Sequence, residues 1–261
     1  MTRDERWNAL LEALASRGRL QVEDAASELG VSAATIRRDL DELAAQQVVT
    51  RTRGGAVAHS VAYDLPLRYK KARHAPEKQR IGAAAAALVP AGAVVGINGG
   101  TTTTEAARAL GARADLHADG STVVLTVVTN ALNIANELTV RPHVKIVVTG
   151  GVVRPQSYEL TGPFAAETLA EVSLDVAIIG VDGLDTERGA TAHHEGEAAV
   201  NRLMARQARQ VVVVSDSSKL EHRAFARICD VGDIDVLVTD TAADADAVRS
   251  FADSGIRVVQ V

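Results

Sequence analysis

Residues 96–104 have the composition of an anion-binding loop. They read GINGGTTTT and stand between a hydrophobic run and the helix-like segment EAARAL. Glycines followed by threonines offer backbone N–H groups and hydroxyls at a helix start, where the helix dipole favours negative charge. The spacing fits neither G-x-G-x-x-G nor a P-loop. The loop therefore predicts a phosphate site with no nucleotide cofactor, although its glycines also suit a tight turn between a strand and a helix.

The segments around this loop alternate between strand-like and helix-like patterns. Seven hydrophobic runs predict strands: AVVGI, TVVLTVVT, VKIVVTG, DVAIIGV, QVVVVSD, DVLVTD and IRVVQV. Helices are predicted between most of them, at residues 104–110, 131–138, 163–171 and 195–209. This alternation indicates an α/β fold with a largely parallel sheet covered by helices. Ligands of such sheets bind beyond the carboxyl ends of the strands.

Charge and composition limit the classes of function. The net charge of −5 gives no overall positive field toward nucleic acid, so any DNA contact must depend on local arginines. Cys229 is the only cysteine, which excludes an internal disulfide and suits a reducing compartment. The charge-free stretch 81–97 contains Pro90 and Gly92 and is shorter than the roughly 20 residues of a membrane span. We expect helix, turn and strand there, and a cytoplasmic protein with no membrane contact.

The chain divides by pattern into two domains and a linker. Residues 1–57 predict three short helices and a small hairpin, and residues 77–261 predict the α/β domain. Residues 58–76 between them are rich in lysine and arginine and are interrupted by Pro66. This basic linker is either a solvated connector or an arm that follows DNA, and composition alone does not separate the two.

The third helix combines a buried stripe with exposed arginines. Its apolar residues follow at i, i+4 and i+7: Ile36, Leu40 and Leu43. Arg37 and Arg38 must then point outward, where they can contact phosphates or bind guanine O6 and N7. Ser32 is the predicted N-cap. Ser32 and Thr35 lie at the helix start, where their hydroxyls suit phosphate oxygens.

A purely structural interpretation of these arginines is equally open at this point. Arg37 and Arg38 could form i, i+4 pairs with Asp41 and Glu42, each contributing about 0.2–0.5 kcal/mol to helix stability. The tight turn before the helix favours a helix-turn-helix instead. A hairpin behind it carries two more arginines around a glycine turn, which favours a DNA-binding wing.

The stretch ELGVSAATIRRDLDELAAQQVVTRTRGGAV resembles the N-terminal signature of the DeoR family of bacterial transcription repressors. The resemblance covers the third helix, which would read the DNA sequence, and the Gly54-Gly55 turn. It departs at Arg53, where the family usually has histidine. It implies a winged helix-turn-helix that binds double-stranded operator DNA. The expected DNA-binding residues are Ser32, Thr35, Arg37, Arg38, Arg51 and Arg53.

The resemblance continues through the sensor domain of the family. It implies a fold similar to ribose-5-phosphate isomerase and CoA transferases, and an effector that is a phosphorylated sugar or a related metabolite. The matching motifs all follow predicted strands, so they can converge on one crevice: Gly100-Thr101-Thr102, Thr129-Asn130, Gly150-Gly151, Asp182-Gly183 and Asp216 to Lys219. The expected effector-binding residues are Asn98, Gly99, Gly100, Thr101, Thr102, Thr103, Asn130, Gly150, Gly151, Asp182, Gly183 and Lys219. Asn98 stands where the family often has aspartate, and the lost charge should favour an anion.

An enzyme is the alternative function. VDGLD at residues 181–185 resembles the catalytic Asp-Gly-x-Asp of the isomerase, and His193 and His194 follow closely. The lysine- and glycine-rich segment of the isomerase is missing, however, and two adjacent histidines are a weak metal-ligand pair. We therefore expect a repressor without catalytic residues or a metal. One winged helix-turn-helix unit covers one half-site of an operator. We therefore also expect a homo-oligomer that binds two half-sites about 34 Å, or a multiple of that distance, apart.

Overall fold

A computed structural model describes residues 1–46, 48–58, 67, 74–116 and 124–261 of the chain. The chain divides into two compact units, Met1–Arg73 and His74–Val261. Most of the predicted linker, residues 59–66 and 68–73, lies outside the described residues. A helix already begins at Ala75, inside the predicted linker. The domain limits at 57 and 77 remain predictions.

The first unit is a winged helix-turn-helix. Its elements are α1 (Arg3–Arg17), β1 (Arg19–Gln21), α2 (Val22–Leu29), α3 (Ala33–Ala45), β2 (Val49–Thr52) and β3 (Gly55–Ala58). The strands form an antiparallel sheet in the order β1-β3-β2. The three-residue β1 was not predicted, because it is too short to show an alternating pattern.

Capping residues set the limits of the helices in this unit. Thr2 and Glu5 form a reciprocal capping box at the start of α1, and Gly18 ends that helix in the left-handed conformation at φ 71°. The predicted N-cap of α3 is confirmed, because the Ser32 hydroxyl accepts a hydrogen bond from the Thr35 N–H at 3.1 Å. The predicted stripe of α3 is fully buried in the core beside Trp7.

The two wing glycines have different structural roles. Gly54 has a φ of 86°, a conformation that residues with a Cβ rarely adopt, and it closes the turn between β2 and β3. Gly55 is needed for space, since a Cβ there would overlap the Leu20 carbonyl of β1. The glycine pair therefore fixes both the turn and the pairing of the wing with β1.

Asp39 ties α3 to α1 from inside the unit. Its carboxylate accepts hydrogen bonds from Arg6 Nη2 at 3.0 Å and from Trp7 Nε1 at 2.9 Å, and it forms a salt bridge with Arg6. Burial alone would raise the pKa of Asp39, but these two donors outweigh burial and hold the pKa below its ordinary value. This anchor fixes the orientation of α3.

We predict that Asp39→Asn destabilises the first unit by about 3 kcal/mol, because it leaves the Arg6 guanidinium without its buried counter-charge. Urea unfolding followed by the fluorescence of Trp7, the only tryptophan, measures the effect. The difference from wild type should be full at neutral pH and should shrink as the pH falls through the lowered pKa of Asp39.

Asp41→Asn on the same helix is the matched control. Its exposed carboxylate pairs with Arg51 at the surface, so its loss should cost less than about 1 kcal/mol. Equal destabilisation by the two substitutions would contradict the role of Asp39 as an anchor.

The second unit is built on a seven-stranded parallel sheet. The sheet strands are β4 (Val94–Ile97), β5 (Leu125–Thr129), β6 (Val144–Val148), β9 (Leu174–Gly180), β12 (Ala208–Val214), β14 (Val236–Thr239) and β15 (Arg257–Gln260). All six pairings are parallel. The seven predicted strands are therefore confirmed, and so is the α/β fold class.

Helices cover both faces of this sheet. They are α4 (Ala75–Ala87), α5 (Thr101–Gly111), α6 (Leu132–Leu138), α7 (Pro163–Ala170), α8 (Glu195–Arg206) and α9 (Ala245–Asp253). Alternate residues of the central strands enter opposite cores: Ile178 packs on the side of α4 and α5, whereas Ile179 packs on the side of α8. The helix predicted at 195–209 is too long, because β12 already begins at Ala208.

Smaller antiparallel elements were not predicted. The hairpin of β7 (Val152–Arg154) and β8 (Glu159–Thr161) follows β6. A second sheet contains β10 (Gly183–Asp185), β11 (Gly189–Ala192) and β13 (Ala226–Cys229). Along the described part of the chain, no helix is both long and apolar enough to cross a membrane.

The strand order creates a switch point between β4 and β9. The order is β15-β14-β12-β9-β4-β5-β6, so the chain builds outward from β4 on one side and then returns to build outward from β9 on the other. Loops that leave neighbouring strands in opposite directions open a crevice at the carboxyl ends of those strands. The loops after β4 and β9 are the GINGGTTTT loop and the Asp182-Gly183 loop.

Candidate functional site

The two arginines of α3 are both exposed but differ in their contacts. Arg37 Nη2 lies 2.7 Å from Glu23 Oε1 of α2, in a pair whose two side chains are more than half exposed. Arg38 has no ion pair or hydrogen bond with any described side chain. A ligand can thus bind the guanidinium of Arg38 without displacing any of the residues that the structure describes.

The structure does not contain the helical pairs that offered a structural explanation for these arginines. Asp41 binds Arg51 of the wing at 2.8 Å, and Glu42 binds Arg3 of α1. Neither carboxylate is engaged by Arg37 or Arg38. The i, i+4 interpretation is therefore wrong.

The remaining predicted DNA-binding residues surround α3. The Ser32 and Thr35 hydroxyls lie 2.9 Å apart at the helix start. Arg51 is partly engaged, since its guanidinium also donates to the Gly55 carbonyl at 2.6 Å. Arg53 at the wing turn is exposed and has no ion pair with the described residues. The wing thus offers Arg53 more freely than Arg51.

In the second unit, Asn98 joins the two strands of the switch point. Its Nδ2 donates to the Gly180 carbonyl at 3.0 Å, and its Oδ1 accepts from the Gly180 N–H at 2.8 Å. The side chain is buried and continues the β4–β9 pairing by one residue. Both polar atoms of the Asn98 side chain are thus engaged with Gly180, and the role of Asn98 in effector binding stays a prediction.

The start of α5 presents donors toward the crevice. Gly100 is the N-cap residue and provides no side-chain cap, and the N–H groups of Thr101, Thr102 and Thr103 have no acceptor among the described residues. The helix begins at Thr101, three residues before its predicted start at residue 104, so the threonines form its first turn. The Thr103 hydroxyl donates to the Gly100 carbonyl at 3.2 Å, whereas those of Thr101 and Thr102 bind no described group.

Three further predicted residues reach the same edge of the sheet. Asn130 follows β5 and is fully buried. Asp182 follows β9 and accepts a hydrogen bond from the His193 N–H at 3.0 Å. The Lys219 ammonium donates to the Val181 carbonyl at 2.5 Å and is half-buried. The cation of Lys219 is therefore held on the loop that follows β9.

The predicted glycines outside the first loop have packing roles. A Cβ at Gly151, whose φ is 130°, would lie 2.7 Å from the Thr161 carbonyl oxygen. A Cβ at Gly183 would lie 2.5 Å from the His222 carbonyl oxygen. At Gly150 the space is less tight, since a Cβ there would lie 3.0 Å from the Phe164 Cβ of α7. Gly151 and Gly183 therefore need glycine for close backbone approach, whatever binds above them.

Three carboxyl groups lie close together: Glu159 and Glu197, which are buried, and Asp182, which is half-buried. Sequence reasoning singled out only Asp182. Burial and the negative charges of Glu197 and Asp182 together raise the pKa of Glu159 to about 8. Hydrogen bonds from Asn130 and Asn201 act in the opposite direction and are outweighed. Glu159 is only 4% exposed. A three-residue strand such as β8 leaves no pattern from which this burial could be predicted.

Lys78 was also missed as a site residue, because it follows the basic linker in sequence and belongs to none of the motifs. It is 4% exposed and lies in the first turns of α4. Burial would raise the pKa of Asp216, but Lys219 and the Ser218 hydroxyl lower it more, and the charge of Lys78 acts in the same direction. Two lysines and Asp216 thus form a polar group beside the crevice.

The residues that suggested an enzyme have structural partners. The Asp185 carboxylate accepts from the N–H groups of Glu187 and Arg188, both at 2.7 Å, and pairs with Arg223. His194 is the N-cap of α8, and its Nδ1 accepts from the Gly196 N–H at 3.2 Å. Both side chains are therefore engaged by groups of the protein itself.

Comparison with known proteins assigns both units. Residues 6–61 match the DeoR-like helix-turn-helix domain, and residues 73–241 match the DeoR C terminal sensor domain. The chain is 34% identical to the HTH-type transcriptional regulator GlpR of Haloferax volcanii, over 98% of this chain and 96% of that protein. It is 29% identical to the glycerol-3-phosphate regulon repressor of Escherichia coli K12, over 99% of both.

Among solved structures, ribose 5-phosphate isomerase A from Methanocaldococcus jannaschii is similar with a TM-score of 0.42 and 20% identity. The alignment covers 56% of this chain and 55% of the isomerase. The winged helix-turn-helix and the α/β sensor unit define a DNA-binding transcription regulator rather than an enzyme. The chain belongs to the DeoR family of these regulators.

We predict that Asn98→Ala destabilises the second unit by about 2 kcal/mol, because it removes two buried hydrogen bonds to Gly180. Urea unfolding followed by far-ultraviolet circular dichroism measures this, while Trp7 fluorescence reports the first unit separately. Asn136→Ala, at an exposed position on α6, should change the free energy of unfolding by less than about 0.5 kcal/mol. Equal effects would exclude the proposed role of Asn98.

Proposed function

We propose that this regulator represses a carbohydrate-catabolism operon and releases its operator when a phosphorylated sugar binds the crevice at the β4–β9 switch point. The observation that carries the proposal is the start of α5, where three backbone N–H groups and two threonine hydroxyls have no partner among the described residues. These donors lie at the positive end of a helix dipole, which suits a phosphate group. Lys219 supplies a cation on the facing loop.

The operator would be read mainly by α3. Arg38 can form bidentate hydrogen bonds with a guanine, since no residue in the described part of the chain competes for its guanidinium. Ser32, Thr35 and Arg53 would contact phosphates and fix the position of the helix in the groove. Arg37 and Arg51 must first exchange the carboxylates of Glu23 and Asp41 for DNA phosphates.

The proposed release mechanism needs two winged helix-turn-helix units, the DNA-binding heads of two copies of the chain. One reading helix covers one half-site, so we propose that the chain acts as a homo-oligomer on paired half-sites. The sugar phosphate would favour an arrangement in which the heads no longer match the half-site spacing. It shifts the equilibrium only by its difference in affinity for the two arrangements. The name of the Escherichia coli relative, a glycerol-3-phosphate regulon repressor, supports a small phosphate ester as effector.

We predict that Arg38→Ala weakens binding to double-stranded DNA selected from a random pool by about 10- to 150-fold, and relaxes the preference at one base pair. Fluorescence anisotropy of labelled DNA measures the affinity. Arg80→Ala removes the same charge from an exposed position on α4 and should leave the affinity within about twofold of wild type. Equal losses in both variants would indicate bulk charge instead of base recognition.

We predict that Thr102→Ala and Lys219→Ala each raise the Kd of the tightest-binding sugar phosphate by about tenfold, because each removes a hydrogen bond to a charged group. Titration calorimetry with ribose 5-phosphate, glucose 6-phosphate and glycerol 3-phosphate measures the Kd, with the unphosphorylated compounds as negative controls. Thr139→Ala, on the exposed end of α6, should have no effect on it. Binding of the unphosphorylated compounds with equal affinity would refute a phosphate site at α5.

A further inference from the structure

A cavity of about 420 Å³ lies at the edge of the sheet opposite the crevice. It is found where α8 ends and where β12 and β14 begin, next to β13. Because the strands of the sheet are parallel, their amino ends lie on the edge away from the carboxyl ends that form the crevice. Ligand pockets typically measure about 300–1,000 Å³, so this cavity is large enough for a small metabolite.

The α8 side of the cavity carries positive charge that no carboxylate balances. Arg202 is half-buried and held by the backbone, since its Nε donates to the Ile228 carbonyl at 3.2 Å and its Nη2 donates to the Arg227 carbonyl. Carbonyls carry no formal charge, so the guanidinium of Arg202 has no ion-pair partner among the described residues. Arg206 lies one turn later on α8, is exposed, and has neither an ion pair nor a hydrogen bond with the described residues. Both guanidiniums can therefore bind an anion without giving up a carboxylate.

Two further arginines line the cavity but are partly neutralised. Arg227 Nη1 lies 2.6 Å from Asp230 Oδ1. Arg209 is exposed, and its Nη1 lies 4.0 Å from Asp175 Oδ1, which is the outer limit of an ion pair. The positive charge is therefore concentrated on Arg202 and Arg206.

Three aspartates also line the cavity, and each is engaged by the protein. Asp230 pairs with Arg227, as described above. Asp233 Oδ2 accepts a hydrogen bond from the Asp230 N–H at 3.1 Å, within the cap of a short helical turn. Asp235 Oδ2 accepts from the Val211 N–H at 2.7 Å, which ties the start of β14 to β12. Their charges oppose an anion from the side of the cavity away from α8, and this opposition can be measured.

The rest of the lining is apolar. Burial, with a smaller contribution from the charge of Asp233, raises the pKa of Cys229 to about 12, so its thiol is uncharged at pH 7. An apolar surface beside two guanidiniums suits a ligand that combines an anionic end with a carbon skeleton. The apolar lining residues are Ala205, Ala208, Val211, Ile228 and Cys229.

We propose that this cavity binds an organic diphosphate, with its phosphate groups on Arg202 and Arg206 and its carbon skeleton against the apolar lining. A guanidinium presents N–H donors in a planar fork that matches the oxygens of a phosphate group. Two such forks without carboxylate partners suit two phosphate groups. The site lies at the opposite edge of the sheet from the crevice and does not depend on the proposed effector.

The test is titration calorimetry of the full chain at pH 7 with adenosine diphosphate, pyrophosphate, adenosine monophosphate and adenosine. Adenosine diphosphate should bind most tightly, and the monophosphate about tenfold more weakly, because it loses hydrogen bonds to one charged group. Adenosine should not bind. If neither diphosphate binds at millimolar concentrations, the site is refuted. If pyrophosphate binds as tightly as adenosine diphosphate, the apolar lining takes no part and the ligand class is wrong.

Variants with effects of opposite sign locate the site. Arg206→Ala should weaken binding of adenosine diphosphate about tenfold and leave the fold intact, since Arg206 has no partner in the described chain. Asp235→Asn keeps an acceptor for the Val211 N–H but removes a negative charge, so it should tighten binding about two- to threefold. Arg80→Ala, at an exposed position on α4, should change the affinity by less than about twofold.

Lys219→Ala separates this cavity from the crevice. If Lys219→Ala weakens binding of adenosine diphosphate and Arg206→Ala does not, the diphosphate binds in the crevice and the cavity is refuted. Equal weakening by Arg206→Ala and Arg80→Ala would show an effect of overall charge and would also refute it. A loss confined to Arg206→Ala, together with the gain in Asp235→Asn, supports the site.

Discussion

The second unit depends on the junction between β4 and β9, where the strand order reverses. At this junction the Asn98 side chain replaces a backbone hydrogen-bonding partner and binds both polar groups of Gly180. The loops after the two strands then leave in opposite directions, and the space between them is the crevice. The N–H groups of α5, the Asp182 loop and Lys219 all take their positions from this junction.

The strands and the chemistry of the first loop could be predicted because their signals are local. Seven valine-rich runs are the seven strands of the sheet, and the loop glycines and threonines are at the carboxyl end of β4. The role of Asn98 could not be predicted, because its partner Gly180 is 82 residues away in sequence. Glu159 was missed for the same reason, since only the fold places it beside Asn130 and Gly99.

The first unit shows how the same residue type is used in two ways. Arg6 is half-buried against Asp39 and stabilises the unit, whereas Arg38, one position before Asp39, is exposed and has no described partner. Helical geometry explains this difference, because adjacent helical positions point about 100° apart. The stripe of α3 could be predicted from its period, but the buried role of Asp39 depends on α1 and could not.

We propose that one chain couples a DNA-reading helix to a crevice that binds a sugar phosphate. The most direct test of this coupling measures the affinity for selected operator DNA with and without a saturating concentration of the tightest-binding sugar phosphate. The coupling predicts operator binding at least about fivefold weaker with the ligand, and an equal loss of ligand affinity when operator is bound. Operator affinity that is unchanged or increased by the ligand would contradict it.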